Sequence, residues 1–435
     1  MNLDERRVVV TGIGIASPLG IGVKTFWDNL TGRKIGIQRI TRFDPAGSPA
    51  QIAGEVPPFS INEFVPRHYR KATKVMARDI ELAVVSAHEA FKDARLKSKA
   101  ETETPDFDGS RFGCNIGAGL ISVDLKELTA AMHTSRSEDR LNLARWGGEG
   151  MQQLTPLWLL KYLPNMLACH VTIIHGLKGP SNTITCGEAS SHLAIGEAFR
   201  IIQRGDADLA ICGGAETKVQ PMGVLRQLLL DRLTTQHNEA PADALRPFDD
   251  EASGTVVGEG GGLLILENVQ HARARGARIY AEVVGFGATQ DIFHLTRPSP
   301  SGTPYANAIS KALADAQTPS ADVDLIIPCG IGIPSHDDAE LNGLAQVFGD
   351  RLSEVRLAPI KAQIGNLSAG NGVDAAATVL AIHHGVVPPA MNTQRTNRRR
   401  LNVHTSARSL PTELAVSSVC SLGGQNAALV FRKFE

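Results

Sequence analysis

The chain has 435 residues, of which 43% are hydrophobic and 20% charged, and its formal net charge is −1. This is enough apolar material for a large buried core, while the balanced charge gives no electrostatic case for nucleic acid or an anionic membrane, and no apolar run is long enough to span a bilayer. The six cysteines show neither zinc-ligand nor disulfide spacing, so we expect a protein of the reducing cytoplasm without metal or cofactor.

Short apolar runs alternate with helical patterns along the chain, which is typical of βαβ construction and predicts an α/β fold. The predicted strands are 8–11, 111–116, 182–185, 209–212, 279–284, 325–328 and 416–419. The predicted helices lie near 23–30, 79–94, 192–204, 304–316, 338–348 and 372–383. Two similar halves are expected, covering residues 1–260 and 261–435.

The most informative segment is the predicted strand 182–185, followed by a turn of small residues, 187–191, and an amphipathic helix. Such a turn presents one side chain, here Glu188, at a helix N-terminus. At that place the helix dipole and free amides would lower the pKa of a thiol and stabilise an oxyanion. The same field would stabilise the anion of a glutamate at this position, but it would not make that glutamate a reactive nucleophile.

Motifs along nearly the whole chain resemble those of the β-ketoacyl synthases of the thiolase superfamily, which elongate chains on acyl carrier proteins. The residues that carry the resemblance are 7–14 (RVVVTGIG), 179–181 (GPS), 205–208 (GDAD), 212–216 (CGGAE), 246–249 (RPFD), 258–262 (GEGGG), Glu340, Lys361, Gly365 and 423–426 (GGQN). The resemblance implies a thiolase-like fold of five layers, αβαβα, with the division after residue 260 separating an N-terminal and a C-terminal ketoacyl-synthase half.

Members of that family use a cysteine nucleophile and two histidines. In an ungapped register the resemblance places Glu188 at the nucleophile position, Cys329 at the first histidine and Asn366 at the second. Further family positions are Lys361 and Glu340, which are retained, and the gate position, Leu422. A carboxylate attacks thioesters poorly, asparagine does not titrate near neutral pH and a thiol is a weak donor, so no catalytic residue is expected at the three changed positions.

Within the family this signature is that of the chain-length factors, the β subunits of type II polyketide synthases. The resemblance therefore implies a non-catalytic subunit that pairs with a ketosynthase α subunit and shapes its acyl tunnel, with an acyl carrier protein as the further partner. That branch usually carries glutamine at the nucleophile position, so Glu188 is a departure. The similarity elsewhere to fatty-acid enzymes points to a reduced or polyene product.

Two catalytic alternatives stay open. The chain could decarboxylate malonyl carrier protein to supply a starter, or it could be an active condensing enzyme with a relocated thiol. Cys186 and Cys329 are the candidate thiols, although the register places Cys186 inertly in the strand before the turn. His336 is expected to be solvated or locally hydrogen-bonded rather than half of a new dyad. Glu188 itself is interpreted as a structural residue that caps the helix and excludes acyl groups.

By the same resemblance, two apolar segments should reach the tunnel at the dimer interface. The residues concerned are Leu120, Asp124 and Leu128 in the first segment and Leu157 and Trp158 in the second. The first three are spaced four apart, so on a helix they share one face. Ordinary packing is the alternative for each of them.

The dense basic run consists of Arg395 and residues 398–400. Acyl carrier proteins are acidic, so this run is a candidate docking patch, although a solvated loop is the favoured interpretation.

Overall fold

The computed structural model describes residues 7–396 and 400–435. The strands are β1 (Val8–Ser17), β2 (Gly20–Ile21), β3 (Ile37–Arg39), β4 (Ile52–Gly54), β5 (Phe112–Gly117), β6 (Arg136–Ser137), β7 (Arg140–Leu141), β8 (Ser181–Ile184), β9 (Leu209–Thr217), β10 (Glu259–Asn268), β11 (Ala281–Gln290), β12 (Leu325–Ile327), β13 (Arg356–Leu357), β14 (Val386–Val387), β15 (Arg408–Ser409), β16 (Leu414–Cys420) and β17 (Gln425–Arg432). The α-helices are α1 (Val23–Thr31), α2 (Arg78–Ala94), α3 (Leu125–Thr134), α4 (Leu143–Arg145), α5 (Met166–His175), α6 (Ser190–Arg204), α7 (Pro221–Leu229), α8 (Val269–Ala274), α9 (Thr303–Asp315), α10 (Pro334–Phe348), α11 (Lys361–Ile364) and α12 (Gly372–His384).

The central sheet is built from two equivalent groups of five strands. Its order is β13-β12-β16-β17-β11-β1-β10-β9-β5-β8, with β2 paired to the end of β1. The groups meet where β1 pairs with β11 over three residues, Val8 to Val10. If the five strands of each group are numbered along the chain, both groups have the same order outward from this joint: first, fifth, fourth, second and third. In both groups the two strand pairs nearest the joint are antiparallel and the two farthest from it are parallel. The expected two similar halves are therefore present.

Helices cover and separate these two groups. Helices α6 and α12 contact strands of both groups and form the middle layer, whose core is shared by the two sides. On the outer face of the first group lie α2 and α5, and on that of the second lies α9 with α10 packed on it. This gives the five layers, αβαβα, that were predicted.

Strand β1 is longer than predicted because glycines interrupt its apolar pattern. All ten of its residues are buried. Helix α2 crosses it so closely that a Cβ on Gly14 would lie 1.8 Å from the carbonyl oxygen of Ser86. Glycine, which usually weakens a strand, is here the residue that lets the helix and the strand approach.

Several expected boundaries differ from the structure. Strand β17 was not predicted, and β8 ends at Ile184, so Cys186 lies beyond the strand rather than within it. The division after residue 260 stays a prediction; β10 spans that point and pairs with β1 and β9. Among the described residues, no helix combines the length and apolar character needed to cross a membrane.

Candidate functional site

The turn that presents Glu188 connects β8 to α6. A single 3₁₀ turn, Gly187–Ala189, follows Cys186, and α6 begins at Ser190. Gly187 has a φ of 55°, which favours glycine, and the amide of Cys186 donates to the Ser190 hydroxyl at 2.7 Å. The turn begins at Gly187 as predicted but ends at Ala189 rather than at Ser191, and it holds Glu188 buried, with 2% of its surface exposed.

The carboxylate of Glu188 accepts hydrogen bonds from donors on several segments. Its Oε1 accepts from Nη2 of Arg232 at 2.6 Å and from Nδ2 of Asn366 at 3.2 Å. Its Oε2 accepts from the amide of Leu422 at 3.2 Å and lies 3.3 Å from Oγ of Ser421. No side chain caps the first turn of α6, so the predicted capping role of Glu188 is wrong: the carboxylate points to other loops instead.

Glu188 is an anion in this environment. Burial alone would raise its pKa, but the charge of Arg232, the amide of Glu188 itself and the hydrogen bonds from Arg232 and Asn366 together lower the pKa to about 2. The ion pair with Arg232 is itself buried, with 4% and 3% of the two side chains exposed. A buried charge needs such a partner, because an unpaired ion in the interior is strongly destabilised.

Cys329 lies in the loop after β12 and is held by its backbone. Its amide donates to Oε1 of Glu340 at 2.8 Å, and the next amide, that of Gly330, donates to Oε2 at 2.9 Å. The hydroxyl of Tyr305 also donates to Glu340, at 2.6 Å. Burial raises the pKa of Glu340 to about 7, although these hydrogen bonds oppose the rise. Glu340 therefore lies behind the site and positions the loop that carries Cys329.

Asn366 and Lys361 lie in one short segment, but their side chains contact different parts of the molecule. Asn366 follows α11, and its Oδ1 accepts from the amide of Ser368 at 3.0 Å, which turns its Nδ2 toward Glu188. Lys361 is fully buried and forms an ion pair with Asp374 of α12. The retained lysine therefore bonds into the middle helical layer.

The thiols near the turn are not prepared for attack. Cys186 is half-buried, and burial raises its pKa, which disfavours the thiolate. The thiol of Cys329 donates to the carbonyl oxygen of Cys420 at 3.5 Å. The hydrogen bond with Cys329, together with burial, raises the pKa of Cys420 well above its ordinary value.

His336 lies on α10 with 5% of its surface exposed. Its Nδ1 is 3.4 Å from the hydroxyl of Ser335, so it is locally hydrogen-bonded rather than solvated. Burial and the charge of Arg232 lower its pKa to about 4, although Glu188 opposes this. The imidazole is therefore neutral near pH 7.

The two predicted interface segments meet at Tyr162. Its hydroxyl accepts from the amide of Asp124 at 3.3 Å, and its ring centroid is 5.1 Å from that of Trp158. Leu120 and Leu157 are 62% and 66% exposed, while Leu128 and Trp158 are half-buried.

The expectation that Leu120, Asp124 and Leu128 share a helix face is wrong. Helix α3 begins at Leu125, Asp124 caps it by accepting from the amide of Lys126 at 2.8 Å, and Leu120 precedes it. An aspartate in the middle of the pattern favours a cap over a helix interior.

Of the basic run, Arg395 is 62% exposed in its side chain and forms an ion pair with Glu251. Residues 397–399 lie outside the described part of the chain. Within that part, no group of three or more His, Cys, Asp or Glu side chains is arranged to hold a metal ion.

Arg232 and Ser421 were not found from the sequence. Arg232 stands in a polar loop 44 positions from Glu188 and belongs to no motif or periodic pattern. The one available signal is indirect: a glutamate in a small-residue turn at a buried helix start requires a cation from elsewhere in the chain.

Known proteins resemble this chain in sequence and in fold. The family description Beta-ketoacyl synthase, N-terminal domain, matches residues 5–272, and Beta-ketoacyl synthase, C-terminal domain, matches residues 280–394. The 3-oxoacyl-[acyl-carrier-protein] synthase 2 of Staphylococcus aureus (strain COL) is 34% identical over 99% of both chains. Two solved structures each cover 99% of this chain and 100% of their own: the ishigamide ketosynthase/chain length factor, with a TM-score of 0.85 and 28% identity, and a type II PKS acyl-carrier protein in complex with its ketosynthase, with a TM-score of 0.81 and 26% identity. The chain belongs to the β-ketoacyl synthase family.

Proposed function

We propose that this chain is a non-catalytic chain-length subunit, which pairs with a ketosynthase α subunit and shapes the tunnel for the chain growing on an acyl carrier protein. The observation that carries the proposal is the buried, ion-paired Glu188 at the position where the family resemblance places the nucleophile.

The chemistry of Glu188 supports this role. A carboxylate with a pKa of about 2 is a weak nucleophile, and an acyl group reaching it would have to displace Arg232. The mixed anhydride formed by such an attack would hydrolyse rather than hold a chain. Asn366 is committed to the same carboxylate, so it is not free to bind a thioester oxygen.

The surface supports a partner subunit. Strand β8 is the last strand of the sheet, and its outer edge pairs with no strand in the described part of the chain. Exposed apolar side chains, Leu120, Leu143, Leu157 and Leu159, are between 60% and 75% exposed. An open strand edge is a typical site of association with another chain. The relatives named as a ketosynthase/chain length factor and as a ketosynthase in complex with an acyl-carrier protein are consistent with both expected partners.

Intact-mass analysis tests the proposal directly. The purified chain, incubated alone with acyl and malonyl carrier proteins, is expected to show no covalent acyl adduct and no condensed product. Co-expressed with a ketosynthase α subunit, it should copurify, and the acyl group should be found on the partner alone. An acyl adduct on this chain, with turnover in the absence of a partner, would contradict the proposal.

An active 3-oxoacyl carrier protein synthase is the second candidate, because relatives at 34% identity carry that name. In this chain it would need a relocated thiol. Labelling by a cysteine-directed synthase inhibitor at Cys186 or Cys329, lost in the corresponding Cys→Ala variant together with condensation, would establish it. Release of carbon dioxide from malonyl carrier protein by the isolated chain would instead establish the decarboxylating alternative.

Shortening Leu120 or Trp158 to alanine is expected to lengthen the products of the partner, because each removes bulk from a segment proposed to limit the tunnel. Product masses from the co-expressed pair give the measurement, and copurification shows that the complex is intact. Ile292→Ala is the matched control, because Ile292 is 93% exposed and lies outside both segments. Identical product distributions from an intact complex would count against these residues.

A further inference from the structure

The donors around Glu188 are positioned by contacts of their own. The orientation of the Asn366 amide is set by its bond to the amide of Ser368. Ser421 is anchored by its amide, which donates to the carbonyl oxygen of Gln425 at 2.9 Å, and its hydroxyl is 2.7 Å from the carbonyl oxygen of Cys186. These contacts hold Asn366 and Ser421 in place without the Glu188 side chain, and the Ser421 hydroxyl, 3.3 Å from Oε2 of Glu188, is the most distant of the donors.

Arg232, the cation of this site, pairs with one carboxylate in the described part of the chain. Arg232 is 3% exposed, and Glu188 is the carboxylate that it pairs with in the described part of the chain. Its loop is fixed independently, because its amide donates to the carbonyl oxygen of Gln227 at 3.1 Å and its carbonyl oxygen accepts from the amide of Thr255 at 2.8 Å. The buried Nε of Arg232 has no acceptor among the described residues, and the ion pair with Glu188 is the one that its guanidinium forms there.

The arrangement selects for a carboxylate. Both oxygen atoms of Glu188 face donors: Arg232 and Asn366 at one, the Leu422 amide at the other. A neutral amide group would place its own NH₂ against one of these donors, and a thioester carbonyl would supply a single oxygen. Charge-assisted hydrogen bonds also favour an anion over a neutral acceptor.

We propose that the turn at Glu188 is a carboxylate receptor, formed by Arg232, Asn366 and the Leu422 amide, whose resident ligand is the chain's own Glu188. Removing that side chain should open the receptor to a small free monocarboxylate, for which acetate is the probe. The inference is independent of the proposed function, because the receptor is the same whether or not the chain condenses acyl groups.

The test uses the full-length Glu188→Ala chain near neutral pH, with sodium acetate titrated against sodium chloride at equal ionic strength. Acetate is expected to raise the unfolding temperature of this variant saturably and to bind it in calorimetry, while the unsubstituted chain shows neither effect. Acetamide, which has nearly the same shape without the charge, should not replace acetate. In Glu188→Ala/Arg232→Met, acetate affinity should fall by about tenfold or more, which corresponds to about 1.4 kcal/mol or more.

A folded Glu188→Ala chain that does not respond to acetate would overturn the receptor. Equal effects of acetate and acetamide would do so as well, because they would show cavity filling rather than anion recognition. If the variant is recovered unfolded, its refolding yield in acetate, chloride and acetamide measures the same interaction. An acetate-specific gain supports the receptor, and equal yields overturn it.

Discussion

Arg232→Met is expected to lower the free energy of unfolding by about 3–5 kcal/mol, because it leaves the Glu188 carboxylate buried without a counterion. Chemical denaturation measures this as a lower midpoint with an unchanged slope. The double variant Glu188→Met/Arg232→Met should recover most of the loss, since replacing both ions with apolar groups of similar size removes the unpaired charge.

Arg39→Met is the matched control for this measurement. Arg39 is exposed at the end of β3, so its substitution should change the stability by no more than about 0.5 kcal/mol. If Arg232→Met costs no more than Arg39→Met, or if the double variant is no better than the single one, the ion pair does not stabilise the fold as described.

The stability difference between the unsubstituted chain and the double variant should depend on pH. The folded-state pKa of Glu188, about 2, lies below its ordinary value of 4.5, so this group stabilises the fold fully above about pH 5 and loses that contribution as the pH falls toward about 2. The shift corresponds to about 3 kcal/mol at most. Denaturation midpoints of both chains across this range give the measurement.

Other buried acids act in the opposite direction, among them Glu340 and Asp79. Burial raises the pKa of Glu340 and of Asp79 to about 7, and the charge of Glu216 adds to the rise for Asp79, so their contributions are largest in acid and are lost as the pH rises through about 7. Both are present in the two chains and cancel in the difference. A difference that stays flat or increases between about pH 5 and about pH 2 would contradict the assigned state of Glu188.

The fold followed from the sequence where the hydrophobic pattern repeats. Helices α2, α6 and α12 were predicted to within a turn, because each presents a continuous apolar face to the sheet. Strand β1 was predicted too short, since its glycines serve the approach of α2, a long-range contact that no local pattern encodes. The prediction that Leu120, Asp124 and Leu128 share a helix face was wrong for a related reason. Spacing alone does not show whether an aspartate lies inside a helix or caps its start.

The sequence predicted which positions form the site, but it did not predict the ion pairs among their side chains. The resemblance placed Glu188, Asn366 and Leu422 at related positions, and in the structure they are joined by hydrogen bonds. Arg232 was missed because its role is defined only by the folded position of a distant loop. The sequence also did not show that Lys361 pairs with Asp374 inside the middle layer.

The carboxylate of Glu188 joins loops from the two halves of the molecule. Glu188 and Arg232 lie in loops between strands of the first five-strand group, whereas Asn366 and Leu422 lie in loops between strands of the second. Next to Asn366 the backbone already joins the two halves, because the Asn366 amide donates to the carbonyl oxygen of Val256 at 2.8 Å and the Gly258 amide donates to that of Asn366 at 2.9 Å. The buried Glu188 carboxylate adds charged and polar contacts to this junction. Divergence at position 188 would then be restrained by the contacts between the two halves, and a change there would have to be matched by changes in both of them.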